Sequence, residues 1–401
     1  MKSGLLSSVP LAAVLIAASC GGADQTTTAA SEPSGADATL SAEVVEHYAD
    51  GVFASYGASL DSATAMSDTI DTFLATPTED TLTAARQSWL DARPDYGVTE
   101  AFRFYGGPID ADDAGPEGQI NAWPMDESYV DYVEGDANSG IINDPEEHPE
   151  LTPGALAELN EAGGETNVST GWHAIEFLLW GQDLSEDGPG ERPATDFATT
   201  GTAAAKNADR RVEYLGSVTE LLLADLQDVA DAWDPEADDN YRAEFLAKPS
   251  DEALTDIIGG IGELSRGELA GERMSVAYTE RTQEEEHSCF SDNTTEDIVA
   301  NAQGVANVIT GDYPGGLAGP GLAQLLADDD EAAAAELTAA VETSVTSAES
   351  IPAPFDQHLL DGVSDDDPGR AAIKTTMGNL GAQTDLIVDQ AAALGLTVEV
   401  S

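Results

Sequence analysis

The chain has 401 residues, 41 % of them hydrophobic but only 6 % aromatic, and carries 76 acidic against 15 basic side chains, a net charge of −61. The length allows one large domain or two or three smaller ones. The charge speaks against nucleic acid, whose phosphates need a basic surface, and against direct adhesion to anionic lipid. A solvated acidic surface suited to high salt explains it most simply, and a polyacidic cation-collecting surface is the other reading. A disordered acidic chain is disfavoured, because apolar periodicity continues to the C-terminus.

In chain order, residues 1–19 read as an export signal. Lys2 supplies the positive start, and the apolar run Val9–Ala18 is too short to cross a bilayer. It ends in Ala17-Ala18-Ser19-Cys20-Gly21-Gly22, which resembles a bacterial lipobox, with Cys20 as the lipidated residue; an ordinary cleavage site beside an incidental cysteine is the alternative. Lipid on Cys20 would anchor the protein to a membrane and leave Cys289, the other cysteine, unpaired in this chain. Cys289 reads as a buried thiol rather than a nucleophile. Residues 20–40, rich in Gly, Thr, Ser and Ala, read as a flexible tether.

Helical periodicity starts near Ser41 and continues through Val44, Val45, Tyr48, Val52 and Tyr56. A second helix is predicted over 78–93, stopped or bent by Pro94. Residues 96–150 are irregular, with one short helix at 98–105. Helices follow at 153–162 and from Ser169 or Thr170 to Trp180, where Gly181 is a stop. A Gly/Pro/acid stretch at 185–195 reads as a boundary. Beyond it the pattern predicts helices over 197–232, 250–285 (loosened by Gly259, Gly260, Gly262 and Gly267), 294–310, 319–327, 330–350 and 369–394. The fold class is therefore all-α, read as two packed helical bundles: 41–190, with 96–150 as an insertion, and 196–401.

Three segments concentrate chemistry. In Gly171-Trp-His-Ala-Ile-Glu-Phe-Leu-Leu-Trp-Gly-Gln-Asp183, His173 and Glu176 stand three apart on one helix face. The spacing alone also fits a simple His–acid pair. The surrounding apolar residues imply burial, so a metal or a hydrogen-bond network must compensate the pair. In Trp89–Asp110, Arg93, Glu100, Arg103 and Asp110 lie among aromatics. Glu100 and Asp110 are candidates as ligands or as acceptors that orient His173, whereas Arg93 and Arg103 read as ion-pairing supports. In the third segment Glu286 and His287 adjoin Ser288-Cys289-Phe290, as ligands or as a helix-end cap.

The runs G-x-H-x-x-E-F-x-L-W-G-Q-D, T-E-A-F-R-F-x-x-G-P-I-D and E-H-S-C-F-S-D-N-T resemble, in order, the signature segments of the imelysin-like family, over about residue 40 to the C-terminus. The resemblance implies two helical bundles with a functional pocket at their interface, export to the cell envelope and a link to iron acquisition. The family's G-x-H-x-x-E motif maps onto Gly171, His173 and Glu176. A related periplasmic component of ferrous-iron uptake uses a similar H-x-x-E for metal. Thr295 departs from the family pattern, in which a histidine often follows S-D-N-T.

The expectation is an envelope-anchored metal-binding protein, facing the periplasm or held in the outer membrane, with iron-uptake envelope components as possible partners. The metal would be iron, with zinc or another divalent cation as alternatives. His173 and Glu176 would be ligands, and Glu100, Asp110, Asp183, Glu286 and His287 the pool for the rest. An imelysin-type metallopeptidase is the second reading, weakened by the absence of H-E-x-x-H, H-x-x-E-H and G-x-S-x-G. A metal-free envelope interaction module is the third.

Overall fold

The computed structural model describes residues 35–111, 115–185, 188–200, 205–360 and 362–400. The export signal, Cys20 and most of the expected tether lie outside the described residues. The first helix, α1 (Gly35–Ala75), begins inside the expected tether rather than at Ser41. Its buried side chains Val44, Val45, Tyr48, Val52, Tyr56, Met66, Ile70 and Phe73 form one face.

Thr78 caps α2 (Glu79–Gly97) through a reciprocal capping box with Thr81. Pro94 does not end α2, which runs one turn further and tightens into a 3-10 turn, Val98–Phe102. The segment up to α5 (Pro153–Leu159) holds only α3 (Glu117–Ile120), α4 (Glu127–Val130) and a 3-10 turn at Ile141–Asn143. Then comes α6 (Gly171–Trp180), buried on every side, which Gly181 ends at φ +75°.

The predicted helix over 197–232 is shorter in fact: α7 spans Ala208–Ala232 and starts after Asn207, which sits at φ 54° and breaks the run. Next are α8 (Tyr241–Leu246) and α9 (Ser250–Glu263). α9 passes into a thirteen-residue π-helical stretch, Leu264–Val276, before α10 (Ala277–Glu280). The remainder is α11 (Thr294–Thr310), α12 (Leu322–Asp329), α13 (Glu331–Glu349) and α14 (Pro368–Ala393). Two-residue strands, β1 (Asp312–Tyr313) and β2 (Leu317–Ala318), pair antiparallel after α11.

α1 packs along α2 and α7, α6 packs on α2 and α7, and α11 lies against α2 and α13; α14 covers α13 and the π-helical stretch. Buried apolar side chains from Val44 to Ala391 form one contiguous cluster. The core also encloses charge. Asp131 accepts from both Arg192 (2.7 Å) and Arg211 (2.6 and 2.9 Å), and tyrosine and phenylalanine rings flank the two guanidiniums. Among the described residues no helix is long and apolar enough to cross a membrane.

Candidate metal centre

Close packing at its N-terminus sets the position of α6. Gly171 has φ +81°, and a Cβ there would run into the Ile120 carbonyl. Its role is thus to let α6 approach the 117–121 turn rather than to touch a ligand. Two residues on, His173 is fully buried, and its Nδ1 lies 2.9 Å from Glu176 Oε2. The other Glu176 oxygen accepts from the backbone N–H (2.9 Å) and hydroxyl (2.6 Å) of Ser291.

A second pair of the same kind comes from distant sequence. His287 Nδ1 lies 2.8 Å from Asp297 Oδ2, and both residues are buried. Asp297 stands in the first turn of α11, where the helix N-terminus favours a carboxylate. It also accepts from Ser288 Oγ (2.6 Å), Asn293 Nδ2 (3.1 Å) and Arg93 Nε (3.2 Å). α2 supplies Arg93, whose guanidinium lies among the rings of Trp89, Tyr96 and Trp172 and donates to Asn121 Oδ1 (2.6 Å). The two imidazoles meet edge to face, ring centroids 4.7 Å apart, with Trp123 4.8 Å from His173.

The electrostatics divide the four groups. Burial would raise the pKa of Asp297, but Arg93, with His287 and Ser288, outweighs it and holds the carboxylate ionised. An ionised Asp297 needs a donor, so His287 carries its proton on Nδ1 and keeps a lone pair on Nε2. Burial, then Arg273, pushes His287 down to about 4; burial, then His287 and Arg93, pushes His173 well below its usual value. Both rings are therefore neutral near pH 7, the state a metal ligand requires. Glu176 moves the other way, up to about 8, chiefly through burial. His173 Nε2 is buried and has no hydrogen-bond partner.

These residues fit a metal in part. An imidazole whose Nδ1 is fixed by a buried carboxylate, with Nε2 left over, is the usual form of a metal-ligating histidine and its supporting acid. His287 has that form outright; His173 takes it only with Glu176 ionised, because a protonated Glu176 Oε2 donates to Nδ1 and leaves the ring's proton on Nε2. Glu176 and Asp297 occupy the supporting positions, so Glu176 is engaged behind His173 rather than beside it. Among the described residues no group of three or more His, Cys, Asp or Glu side chains is arranged to hold an ion.

The other sequence candidates make their contacts elsewhere. Glu100 accepts from Arg103 (2.7 Å) and Arg273 (2.6 Å); burial opposes its ionisation, but the two arginines outweigh burial and hold its pKa well below the usual range. Arg103 also pairs with Glu117 at 3.1 Å. Asp110 accepts from the Phe104 backbone N–H and so supports that residue's left-handed φ of 72°. Glu286 is buried, with its pKa raised well above normal by burial and then by Asp356; Thr294 lowers it, and Asp292 and Asp183 raise it further. Asp183 belongs to the same acidic group, raised to about 6 by burial, with Asp356 and Glu284 adding to it. Cys289 is a free buried thiol whose pKa burial raises.

Sequence reasoning missed Asp297, Ser291, Asn121, Trp123 and Arg273. An acid in the first turn of a helix is ordinary capping, so nothing in the sequence separated Asp297 from Glu296. Arg273 sits five residues after Glu268 and bonds it at 3.0 Å, a contact set by the π-helical winding. A pocket of about 290 Å³ opens beside His287, lined also by Asn121, Trp123, Arg103, Arg273 and several glutamates. A larger cavity, about 460 Å³, lies under the loop after α6 against Trp180, Leu184 and Arg192 and touches neither histidine.

The comparisons with known proteins agree with this architecture. The family model described as Imelysin (Peptidase_M75) matches residues 52–387. Iron-regulated protein A of Synechococcus elongatus is 24 % identical over 363 residues, covering 88 % of this chain and 86 % of the relative. The crystal structure of an iron-regulated protein A precursor from Parabacteroides distasonis superposes with a TM-score of 0.65 at 19 % identity, over 90 % of this chain and 96 % of that one. An imelysin-like protein from Psychrobacter arcticum gives 0.64 at 18 % identity, over 90 % and 98 %. At that identity the two structures speak for the fold. With a helical fold of this kind and a family match across most of its length, the chain belongs to the imelysin family.

Proposed function

We propose that this protein captures a metal ion outside the cytoplasm, with His173 and His287 as the protein's own ligands through Nε2. The observation that carries this is the doubled carboxylate–imidazole arrangement, together with the buried, unpartnered Nε2 of His173. Two imidazoles suit ferrous iron, zinc or copper better than a hard trivalent ion. Relatives named for regulation by iron support iron as the metal. The lipobox-like sequence at Cys20 supports anchoring to the cell envelope.

Elemental analysis of untagged protein tests the reading. About one tightly held ion per chain is expected, lost in His173→Ala/His287→Ala while circular dichroism stays helical. Metal retained by that variant would assign the binding to surface acids instead.

A peptidase reading is favoured by one observation. Glu176, with its pKa raised to about 8, can hold or release a proton at His173 Nδ1, across the ring from the proposed ion. Cleavage of an unfolded protein substrate, abolished by chelator and by Glu176→Gln, would establish it.

A further inference from the structure

The glycines of α9 serve two different neighbours. Gly260 faces the 103–105 turn: a Cβ there would collide with the Arg103 carbonyl and lie 3.3 Å from the Tyr105 ring. Gly259 and Gly262, one helical turn apart on another face, receive Val398 and Val400 instead. A Cβ at Gly262 would lie 2.7 Å from Val400 Cγ2, so that seat needs a bare backbone. α9 is thus clamped between the 103–105 turn and residues 396–400.

Residues 396–400 are lightly held. Leu396, Val398 and Val400 are half-buried, while Thr397 and Glu399 between them are exposed, the alternation of an extended segment. Among the described residues, 397–400 make no backbone–backbone hydrogen bond. Open space flanks the segment on both sides. About 270 Å³ separates Leu396 and Thr397 from the start of α9, and about 660 Å³ separates Val398 and Val400 from α14. Few buried contacts and no backbone bonds mark a segment that opens before the rest of a fold.

What this segment backs is a wall of the pocket beside His287. Arg103 lines that pocket and pairs with Glu100 (2.7 Å) and Glu117 (3.1 Å). Just past α9, Arg266 donates to the Gly381 carbonyl of α14 (2.8 Å) and pins the π-helical stretch that carries Arg273. Movement of α9 therefore pivots at its junction with that stretch, shifting the Arg103 side of the pocket and leaving Arg273 in place.

We propose that residues 396–400 are a releasable strap: seated on Gly259 and Gly262, they press α9 against the 103–105 turn and hold the pocket beside His287 narrow, and unseated they let the Arg103 wall swing outward. The device is independent of what the pocket binds, so it stands or falls apart from metal capture.

Hydrogen exchange of the full chain tests it, with the Phe104 amide, which donates to Asp110, as reporter of the wall. A Cβ at Gly262 would lie 3.8 Å from Val400 Cβ, the usual separation across a disulfide, so Gly262→Cys/Val400→Cys locks the strap when oxidised. Oxidation should slow exchange at Phe104 and through α9 about tenfold, the scale set by two half-buried valines, and reduction should restore it. Val398→Asp/Val400→Asp should speed the same amides while leaving α7 and α13 unchanged, and the outward-facing Thr397→Ala should change nothing. Equal exchange at Phe104 in the oxidised and reduced forms would overturn the strap, as would acceleration spread evenly over every helix of the aspartate variant. Should that variant fail to fold, the comparison of oxidised with reduced protein decides.

Discussion

His173 and His287 lie 114 positions apart in sequence yet meet edge to face with ring centroids 4.7 Å apart, and each is held at Nδ1 by its own buried carboxylate. The two pairs differ in charge balance. Asp297 has a guanidinium partner in Arg93, while Glu176 has only neutral donors in Ser291 besides its histidine. From that difference follow an ionised acid behind one ring and a proton-holding acid behind the other.

Removing Asp297 should be more damaging than removing either histidine. Asp297→Ala leaves Arg93 charged and buried among aromatic rings, and breaking such a pair from one side costs about 3–5 kcal/mol. Denaturant unfolding should show this loss. His287→Ala should lose less, since it removes a neutral group and leaves the Arg93–Asp297 pair in place.

The buried histidines set the acid limb of stability. His287 has a pKa near 4 in the folded chain against about 6.5 when unfolded, so between these values the unfolded state binds more protons. Stability is fully present above pH 6.5 and falls as the pH drops toward 4, by on the order of 3 kcal/mol from this residue. Metal-free protein should show the fall in urea titrations across that window, and His287→Ala should flatten it.

Gly171 tests how tightly α6 is docked. Its positive φ and the Ile120 carbonyl both forbid a side chain, so Gly171→Ala should cost about 1–3 kcal/mol and displace His173. Thermal melts would report the stability, and a weakened metal affinity would report the displacement.

The surface charge predicts a salt response. A net charge of −61 repels itself, and the screening length falls from about 10 Å at 0.1 M salt to about 3 Å at 1 M. The melting temperature should climb steadily over that range. A flat response would reject adaptation to salt.

Much of the fold was legible because punctuation and periodicity agreed. The α6 helix begins after Thr170 and ends at Gly181, as its sequence implies, and its apolar surroundings pointed to the burial of His173 and Glu176. Where local signals were absent the reading slipped. The start of α7 depends on one left-handed residue, Asn207, and α2 carries Pro94 within its last turn instead of ending at it. The site was half legible for a similar reason. Spacing places two side chains on one helix face, but which ring nitrogen is tied down depends on tertiary contacts. That Asp297 backs His287, or that Glu286 is buried where Asp356 raises its pKa, is written only in the folded chain.

X-ray absorption at the zinc edge of the zinc-loaded full chain tests the central claim most directly. Two imidazole nitrogens are predicted in the zinc shell of the unaltered protein and one in that of His287→Ala, while the double variant with His173→Ala retains no zinc. An oxygen-only shell that these substitutions leave unchanged would contradict the account.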